Sequence, residues 1–490
     1  MAPVTQTTII PHSQEPYVTR TYPSEGELDV IIQNAAVAQK AWSAVPLSER
    51  IAIGRRFMDE FKKMGPEIPM ELSLQMGRPV SQGAGEVRGF LERSQYMLDI
   101  ASPSLADFTL ESTDKPGFRR YIKRVPLGVV LVIAPWNFPY LVSVNSVLPA
   151  IIAGNAVLFK PSPQTPLTAE RFALALTRAG LPEHVIQVVH MSPELTNHAI
   201  NNKSIDFVSF TGSVLGGRSV ARIAADATGF KGVALELGGK DPAYVRPDAD
   251  LEYTVPELVD GAFFNSGQSC CAVERIYVHE SVYEPFVDKF VAATKAYRLG
   301  DPTLPGTNLG PVVSLASAER IRKQVTDAVN AGAKCLIPDD LFPQAKTGTT
   351  YVAPQVLIDV NHTMDLMKVR KFPLSSPGFV SSGQEETFGP VVGIQKVSSD
   401  EEALHLMDDS PYGLTASIWT NANDNPGSEA VFLKFVDNLH TGTVFLNRCD
   451  YLDPALSWCG VKDSGRGVSL SKFGYDQLTR AKSVHMKIKT

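Results

Sequence analysis

The sequence predicts an α/β protein with parallel sheets in two units. Short β-rich apolar runs alternate with amphipathic stretches from residue 128 onward, and strands separated by helices pair in parallel with helices on both faces. The alternation continues to about residue 238 and restarts beyond Gly239, so two sheets are expected. At 490 residues, 44% of them hydrophobic, the chain is too long for one ordinary core.

The elements follow in order. Residues 27–64 read as helices, and Ser48, ahead of Glu49 and the apolar stripe Ile51, Ile53, Phe57 and Phe61, fits an N-cap. Residues 108–126 read as charged, extended arms that turn at 115–117. Strands are predicted over 128–134 and 156–159. Thr165 and Pro166 open a helix as cap and first helical residue, and Gly180 ends it. Strands follow over 185–189, 207–210 and 233–237. In the second unit a helix over 251–266 precedes two adjacent cysteines, a strand covers 275–278, and a helix over 281–296 gathers Val282, Phe286, Phe290 and Val291 on one side. A last strand falls at 483–488.

Bulk properties narrow the function. A net charge of −6 with 20% charged residues argues against a nucleic-acid binder, which usually shows a basic face. The five cysteines, Cys270, Cys271, Cys335, Cys449 and Cys459, are odd in number and sparse, which points to a reducing compartment and away from a disulfide framework. There is no Cys-x-x-Cys and no His-x-x-x-His, so no metal is expected. The N-terminal segment lacks a basic stretch followed by an apolar core. The longest apolar run, 128–134, falls far short of the ~20 residues of a membrane span. A cytoplasmic protein without membrane partners is expected.

Five motifs hold residue types suited to chemistry. In Gly267-Gln268-Ser269-Cys270-Cys271 a thiolate near a helix end is a natural nucleophile, although two buried cysteines acting as small hydrophobes would look the same. In Glu236-Leu237-Gly238-Gly239-Lys240 a carboxylate at a strand end fits a general base, or an ordinary strand-end charge. Pro135-Trp136-Asn137-Phe138-Pro139 follows the first apolar strand, where open α/β sheets bind ligands. An Asn amide suits an oxyanion, and a Pro-rich turn with packed aromatics is the plain alternative. The run from Phe210 through Gly212 and Ser213 to Gly217 joins a strand to a helix start that could hold a pyrophosphate, but it is not Gly-x-Gly-x-x-Gly. Glu385-Glu386-Thr387-Phe388-Gly389-Pro390 would pass for a surface turn.

Taken together and in this order, the motifs resemble the aldehyde dehydrogenase superfamily over nearly the whole chain, most specifically in LELGGK at 235–240 and FFNSGQSC at 263–270. The resemblance implies a Rossmann-like NAD(P)-binding domain over 1–107 and 127–238. A second α/β catalytic domain over 239–456 and oligomerisation elements at 108–126 and 475–490 follow from it, in a homodimer or homotetramer. It implies that Cys270 attacks an aldehyde, that Asn137 and the Cys270 N–H hold the oxyanion, and that Glu236 activates water. It places Trp136, Lys160, Gly212, Ser213, Leu237, Gly238, Glu386 and Phe388 at the cofactor, and leaves Arg275 structural.

Three features depart from the family pattern. NAD-preferring members often carry a glutamate three residues after the lysine, where this chain has Pro163, so a 2′-phosphate would meet no like charge. Asn145 stands where enzymes for semialdehyde acids often place an arginine, which points away from succinate semialdehyde. Tyr140, Leu141, Tyr451, Leu452 and Trp458 are then expected to line an apolar tunnel for aliphatic or aromatic aldehydes, with core packing as the plain alternative for each. Third, residues 369–384, rich in Ser, Gly and Pro, interrupt the approach to Glu385. They read either as a surface loop, whose closure costs little, or as a retained intron, and sequencing the transcript decides between them. A true insertion beside Glu386 makes a catalytically impaired, oligomeric family member the alternative function. The cofactor reading predicts that NADP+ is tolerated or preferred; comparable affinities for NAD+ and NADP+ agree with it, and strict use of NAD+ with no NADP+ turnover would overturn it.

Overall fold

The computed structural model describes residues 4–110, 114–368 and 386–489. The insertion at 369–384 and Glu385 lie outside the described residues. The chain opens with a hairpin, β1 (Thr5–Ile9) and β2 (Pro16–Thr21), followed by helices α1 (Glu25–Ser43), α2 (Leu47–Met64), α3 (Ile68–Met76), α4 (Val80–Asp99) and α5 (Ala101–Ser104). Arms β3 (Phe108–Thr109) and β4 (Phe118–Pro126) precede the first alternating unit. That unit runs β5 (Val129–Ile133), α6 (Pro139–Ile152), β6 (Ala156–Lys160), α7 (Pro166–Arg178), β7 (Ile186–Val188), α8 (Pro193–Asn201), β8 (Phe207–Thr211), α9 (Val214–Asp226) and β9 (Gly232–Glu236).

The second unit contains β10 (Asp241–Val245), α10 (Leu251–Phe263), β11 (Val273–His279), α11 (Tyr283–Lys295), α12 (Leu315–Asn330), β12 (Lys334–Cys335), β13 (Gln355–Ile358) and β14 (Val391–Val397). It continues through α13 (Asp400–Asp408), β15 (Tyr412–Gly413), β16 (Thr415–Trp419), α14 (Ser428–Asn438) and β17 (Thr443–Leu446). The chain then returns through β18 (Val461–Lys462), β19 (Gly465–Arg466), α15 (Ser471–Gln477) and β20 (Thr479–Lys487).

Two sheets dominate, as the alternation predicts. One has the order β19-β9-β8-β5-β6-β7 and the other β12-β13-β14-β11-β10-β16-β17. Within each, the pairings are parallel except at the edge strands β19 and β12. The arms form a third, antiparallel sheet, β20-β4-β3, in which nine residues of β20 pair with β4 from Thr479↔Pro126 to Lys487↔Phe118. The strand predicted at 483–488 is therefore longer than its apolar residues suggest, because β4 supplies backbone partners along its whole length.

Three local expectations are corrected. Pro46, extended at φ −53° and ψ 142°, occupies the N-cap of α2, and its carbonyl accepts from Glu49 and Arg50; Ser48 lies inside the first turn. Thr165 sits at the N-cap of α7, but its buried hydroxyl has no partner among the described residues, so Pro166 with its fixed φ opens that helix without a side-chain cap. The helix before the two cysteines stops at Phe263 and gives way to a 3-10 turn over Phe264–Gly267, in which Asn265, Ser266 and Gly267 all have positive φ. A cap works where expected at Gly180, left-handed at φ 89° just past α7.

One core feature positions the site. Tyr140, on α6, is fully buried in an aromatic cluster with Phe61, Phe90 and Phe172. It thus packs α6 against α2, α4 and α7 and does not line a tunnel, contrary to the expectation from sequence.

Candidate active site

The candidate site gathers where β5, β6, β8 and β9 end. Glu236 closes β9 and opens on a cleft of about 380 Å³ that Cys270 also lines. Its low-dielectric surroundings raise its pKa, opposed by the Ser469 hydroxyl, the charge of Arg93 and the Thr211 hydroxyl. Thr211 Oγ1 donates to Glu236 Oε2 at 3.5 Å. Gly239 follows because the chain must pass Cys270 closely. A methyl group there would stand 2.7 Å from the Cys270 carbonyl oxygen.

Cys270 lies in the loop that leaves the positive-φ turn. Gly267, at φ 69°, packs against the Gly389 carbonyl, where any side chain would collide. Asn265 ties this loop to the first unit. Its Nδ2 donates to the Asn137 carbonyl at 3.3 Å and to the Gln268 carbonyl at 3.2 Å. Arg78, paired with buried Glu86, also donates to the Asn137 carbonyl. The Asn137 backbone is thus clamped, while its side-chain amide, on a residue 5% exposed, makes no hydrogen bond among the described residues.

The two cysteines differ. Cys271 is buried and donates to Asp450 Oδ1 at 2.9 Å. Its thiol is pushed well above the ordinary range by its hydrogen bond with Cys270, by burial and by the charge of Asp450. Cys271 therefore stays a thiol, whereas Cys270 keeps exposed surface on the cleft. Burial brings Asp450 itself up to about 6.

Away from Cys270, the residues proposed to hold a cofactor line up along the strand ends. Lys160 closes β6, and burial lowers its pKa to about 8. Its ammonium donates only to the Pro161 carbonyl, at 3.2 Å, among the described residues. That leaves it short of acceptors, as a ribose-binding lysine would be without its ligand. Pro163 brings no carboxylate, and its carbonyl is taken by Gln6 and Thr8 of the N-terminal hairpin. Ser213 caps α9, its hydroxyl accepting from Gly216 N at 3.2 Å. Gly212 N donates to the Glu236 carbonyl at 3.1 Å, and Leu237 packs on Gly217. Trp136 meets Phe388 edge to face at 5.6 Å. The Glu386 carboxyl lies over Gly238 and accepts from Gly239 N at 3.0 Å. Donors at a helix start, an acceptor-poor lysine and a carboxyl on a bare backbone fit a dinucleotide with its pyrophosphate and ribose hydroxyls.

Sequence reading missed the residues that arrange these groups. Glu274 on β11 accepts from Thr387 N at 3.1 Å and Phe388 N at 3.0 Å, and pairs with buried Lys240. It fixes the Glu386–Phe388 turn, yet an isolated strand glutamate carries no motif. Arg275 is structural as expected, donating to the Lys240, Leu406 and Met407 carbonyls. Leu141, Tyr451, Leu452 and Trp458 do line the cleft. The cleft is not simply apolar, however, because Arg93 enters it from α4 and reaches Asn145 Oδ1 at 3.4 Å. A guanidinium thus stands beside the position where the sequence offered none.

The family model described as "Aldehyde dehydrogenase family" matches residues 3–484. A protein named "Succinate-semialdehyde dehydrogenase [NADP(+)]" from Mycobacterium avium (strain 104) is 32% identical over 478 residues, covering 97% of this chain and 96% of that protein. One named "Probable betaine aldehyde dehydrogenase" from Schizosaccharomyces pombe is 30% identical over 97% of this chain and 91% of its own length. The crystal structure of an aldehyde dehydrogenase from Brucella melitensis biovar abortus 2308 superposes with a TM-score of 0.90 at 28% identity, over 99% of this chain and 95% of that one.

The site generates a pH prediction. Burial, with help from Glu274, pushes the Glu386 carboxyl from 4.5 up to about 8. Between those values the folded protein keeps a proton that the unfolded chain releases, so this group lowers stability as pH rises. The thermal midpoint of Glu386→Gln should therefore gain on that of the native protein between about pH 5 and pH 8. A difference that stays constant across that window would contradict the reading.

Proposed function

The chain belongs to the aldehyde dehydrogenase family, and from that premise we propose that it oxidises an aldehyde to the carboxylic acid with NAD(P)+ through Cys270. The observation that carries the reading is the shared cleft: Cys270 and Glu236, a soft nucleophile and a carboxyl of raised pKa, face one space.

The Cys270 thiolate adds to the aldehyde carbon to form a thiohemiacetal. The Asn137 amide and the Cys270 N–H donate to the oxygen that becomes negative, a role suited to neutral, pre-positioned donors. NAD(P)+, held by the residues named below, would accept the hydride that the thiohemiacetal carbon loses when it becomes a thioester. Glu236 then takes a proton from water, which attacks the thioester carbon. The C–S bond breaks, freeing the acid and regenerating the Cys270 thiolate. Cys271, held as a thiol by Asp450, stays out of the chemistry.

Lys160 and Glu386 hold the two riboses, Ser213 and Trp136 flank the pyrophosphate, and Gly212, Leu237, Gly238 and Phe388 line the remaining cofactor surface. NADP+ is accepted as well as NAD+, since no carboxylate follows Lys160 at Pro163; the M. avium relative is named for NADP(+). The protein is cytoplasmic, a reading supported by five free cysteines; among the described residues no helix is long and apolar enough to cross a membrane. It assembles as a homodimer or homotetramer through β4 and β20. Nine residues of β20 form a sheet edge, and such edges seek partners. Light scattering should give the mass of two or four chains, and a monomer would count against this assembly.

Cys270→Ala should abolish turnover, whereas Cys271→Ala should keep most of it. Glu236→Gln should stall at the thioester, with acyl-protein detected by mass spectrometry and slow product release. Equal loss from the two cysteine variants would sink the assignment of the nucleophile.

A further inference from the structure

The chemistry above gives no task to Arg93, a buried cation beside the reacting groups. Arg93 is 7% exposed and lines the cleft that holds Cys270 and Glu236. Its Nη1 donates to the Leu141 carbonyl at 2.7 Å and to Asn145 Oδ1 at 3.4 Å. Among the described residues, Nε and Nη2 donate to nothing, and no carboxylate forms an ion pair with Arg93.

The carboxylates around it are otherwise engaged. Glu86 is paired with Arg78 and accepts from the Tyr140 and Leu141 amides. Glu92 accepts from the Tyr451 hydroxyl at 3.1 Å. Glu236 takes the Thr211 hydroxyl. Beside the guanidinium, Asn145 Nδ2 is buried with no acceptor among the described residues, on a residue 1% exposed. The guanidinium thus lines the cleft with two nitrogens that have no acceptor among the described residues. Such an arrangement is costly unless an anion completes it. The planar fork of an arginine matches a carboxylate in both geometry and charge. The cleft that holds Arg93 and Cys270 is also lined by Phe138, Leu141 and Trp458, apolar surface that suits a hydrocarbon chain.

We propose that Arg93 is a specificity-determining residue that receives the distal carboxylate of an oxo acid, so that the preferred substrate is a short aldehyde with an anion at its far end. The proposal rests on the reading that this cleft oxidises aldehydes. It reverses the expectation drawn from Asn145, because the guanidinium arrives from α4 and not from α6. The names of the relatives do not decide the point, since one is named for an anionic aldehyde and another for a cationic one.

The test compares kcat/KM for succinic semialdehyde, butanal and betaine aldehyde in the native protein, Arg93→Gln and Arg93→Lys. The native protein should prefer the anion. Arg93→Gln should lower the anion-to-neutral ratio by about 100-fold, mainly through KM, as expected for losing charged hydrogen bonds, and Arg93→Lys should recover part of it. An unchanged ratio overturns the proposal. So does a native preference for betaine aldehyde, which would assign selection to Glu257 and Asp260 on α10, also in the cleft wall. Equal losses on all three aldehydes with a displaced pH profile would mean that Arg93 acts through Glu236, and would overturn it too. Succinate binding by calorimetry separates the two readings. If no aldehyde is oxidised the activity reading fails, while tenfold weaker succinate binding in Arg93→Gln still upholds the anion site and equal binding rejects it.

Discussion

The buried pair of Lys240 and Glu274 is the constraint on which the rest of the site depends. Lys240 ends the glycine turn after β9, and Glu274 sits on β11 behind the Cys270 loop. The same carboxylate accepts from the Thr387 and Phe388 amides. One anion thus joins three segments far apart in the chain. A buried pair of this kind adds little net stability, because desolvation offsets attraction, but removing one partner leaves an uncompensated charge. Its effect here is to fix relative position. The turn it holds lays Glu386 over Gly238 and Phe388 against Trp136.

A second set of ties sets the Cys270 loop against the first sheet. Asn265 bonds both the Asn137 and Gln268 carbonyls, and Ser464 Oγ donates to the Gly238 carbonyl at 2.7 Å. Gly465, at φ 125° on β19, approaches Leu235 so closely that no side chain would fit. Segments before, between and after the two cores therefore converge on Leu235–Lys240. The cleft is built between units and not within either one.

Burial sorts the ionisable groups of the site into roles. Glu236, Asp450 and Glu386 are all raised by burial, by amounts that follow their neighbours. Asp450 keeps Cys271 protonated while Cys270 remains open to the cleft. Arg93 is the counter-case. Burial lowers its pKa, and Glu236 leads the charges that pull it back, yet among the described residues no carboxylate accepts its hydrogen bonds.

The sequence by itself determined the two parallel sheets, because a strand buried on both faces must read as an apolar run such as VVLVI at Val129–Ile133. It also marked the glycine turns, because close backbone approaches such as Gly267 on Gly389 and Gly239 on Cys270 leave no room for a side chain. It could not reveal Glu274, Arg93 or Asp450, whose functions come from partners 113, 52 and 179 residues away. It misplaced Tyr140, because an aromatic residue looks the same whether it faces a tunnel or a core. It read Asn145 as a missing cation, because position along one helix cannot show what a neighbouring helix delivers. Only the tertiary structure, by setting α4 against α6, decided that the charge is present.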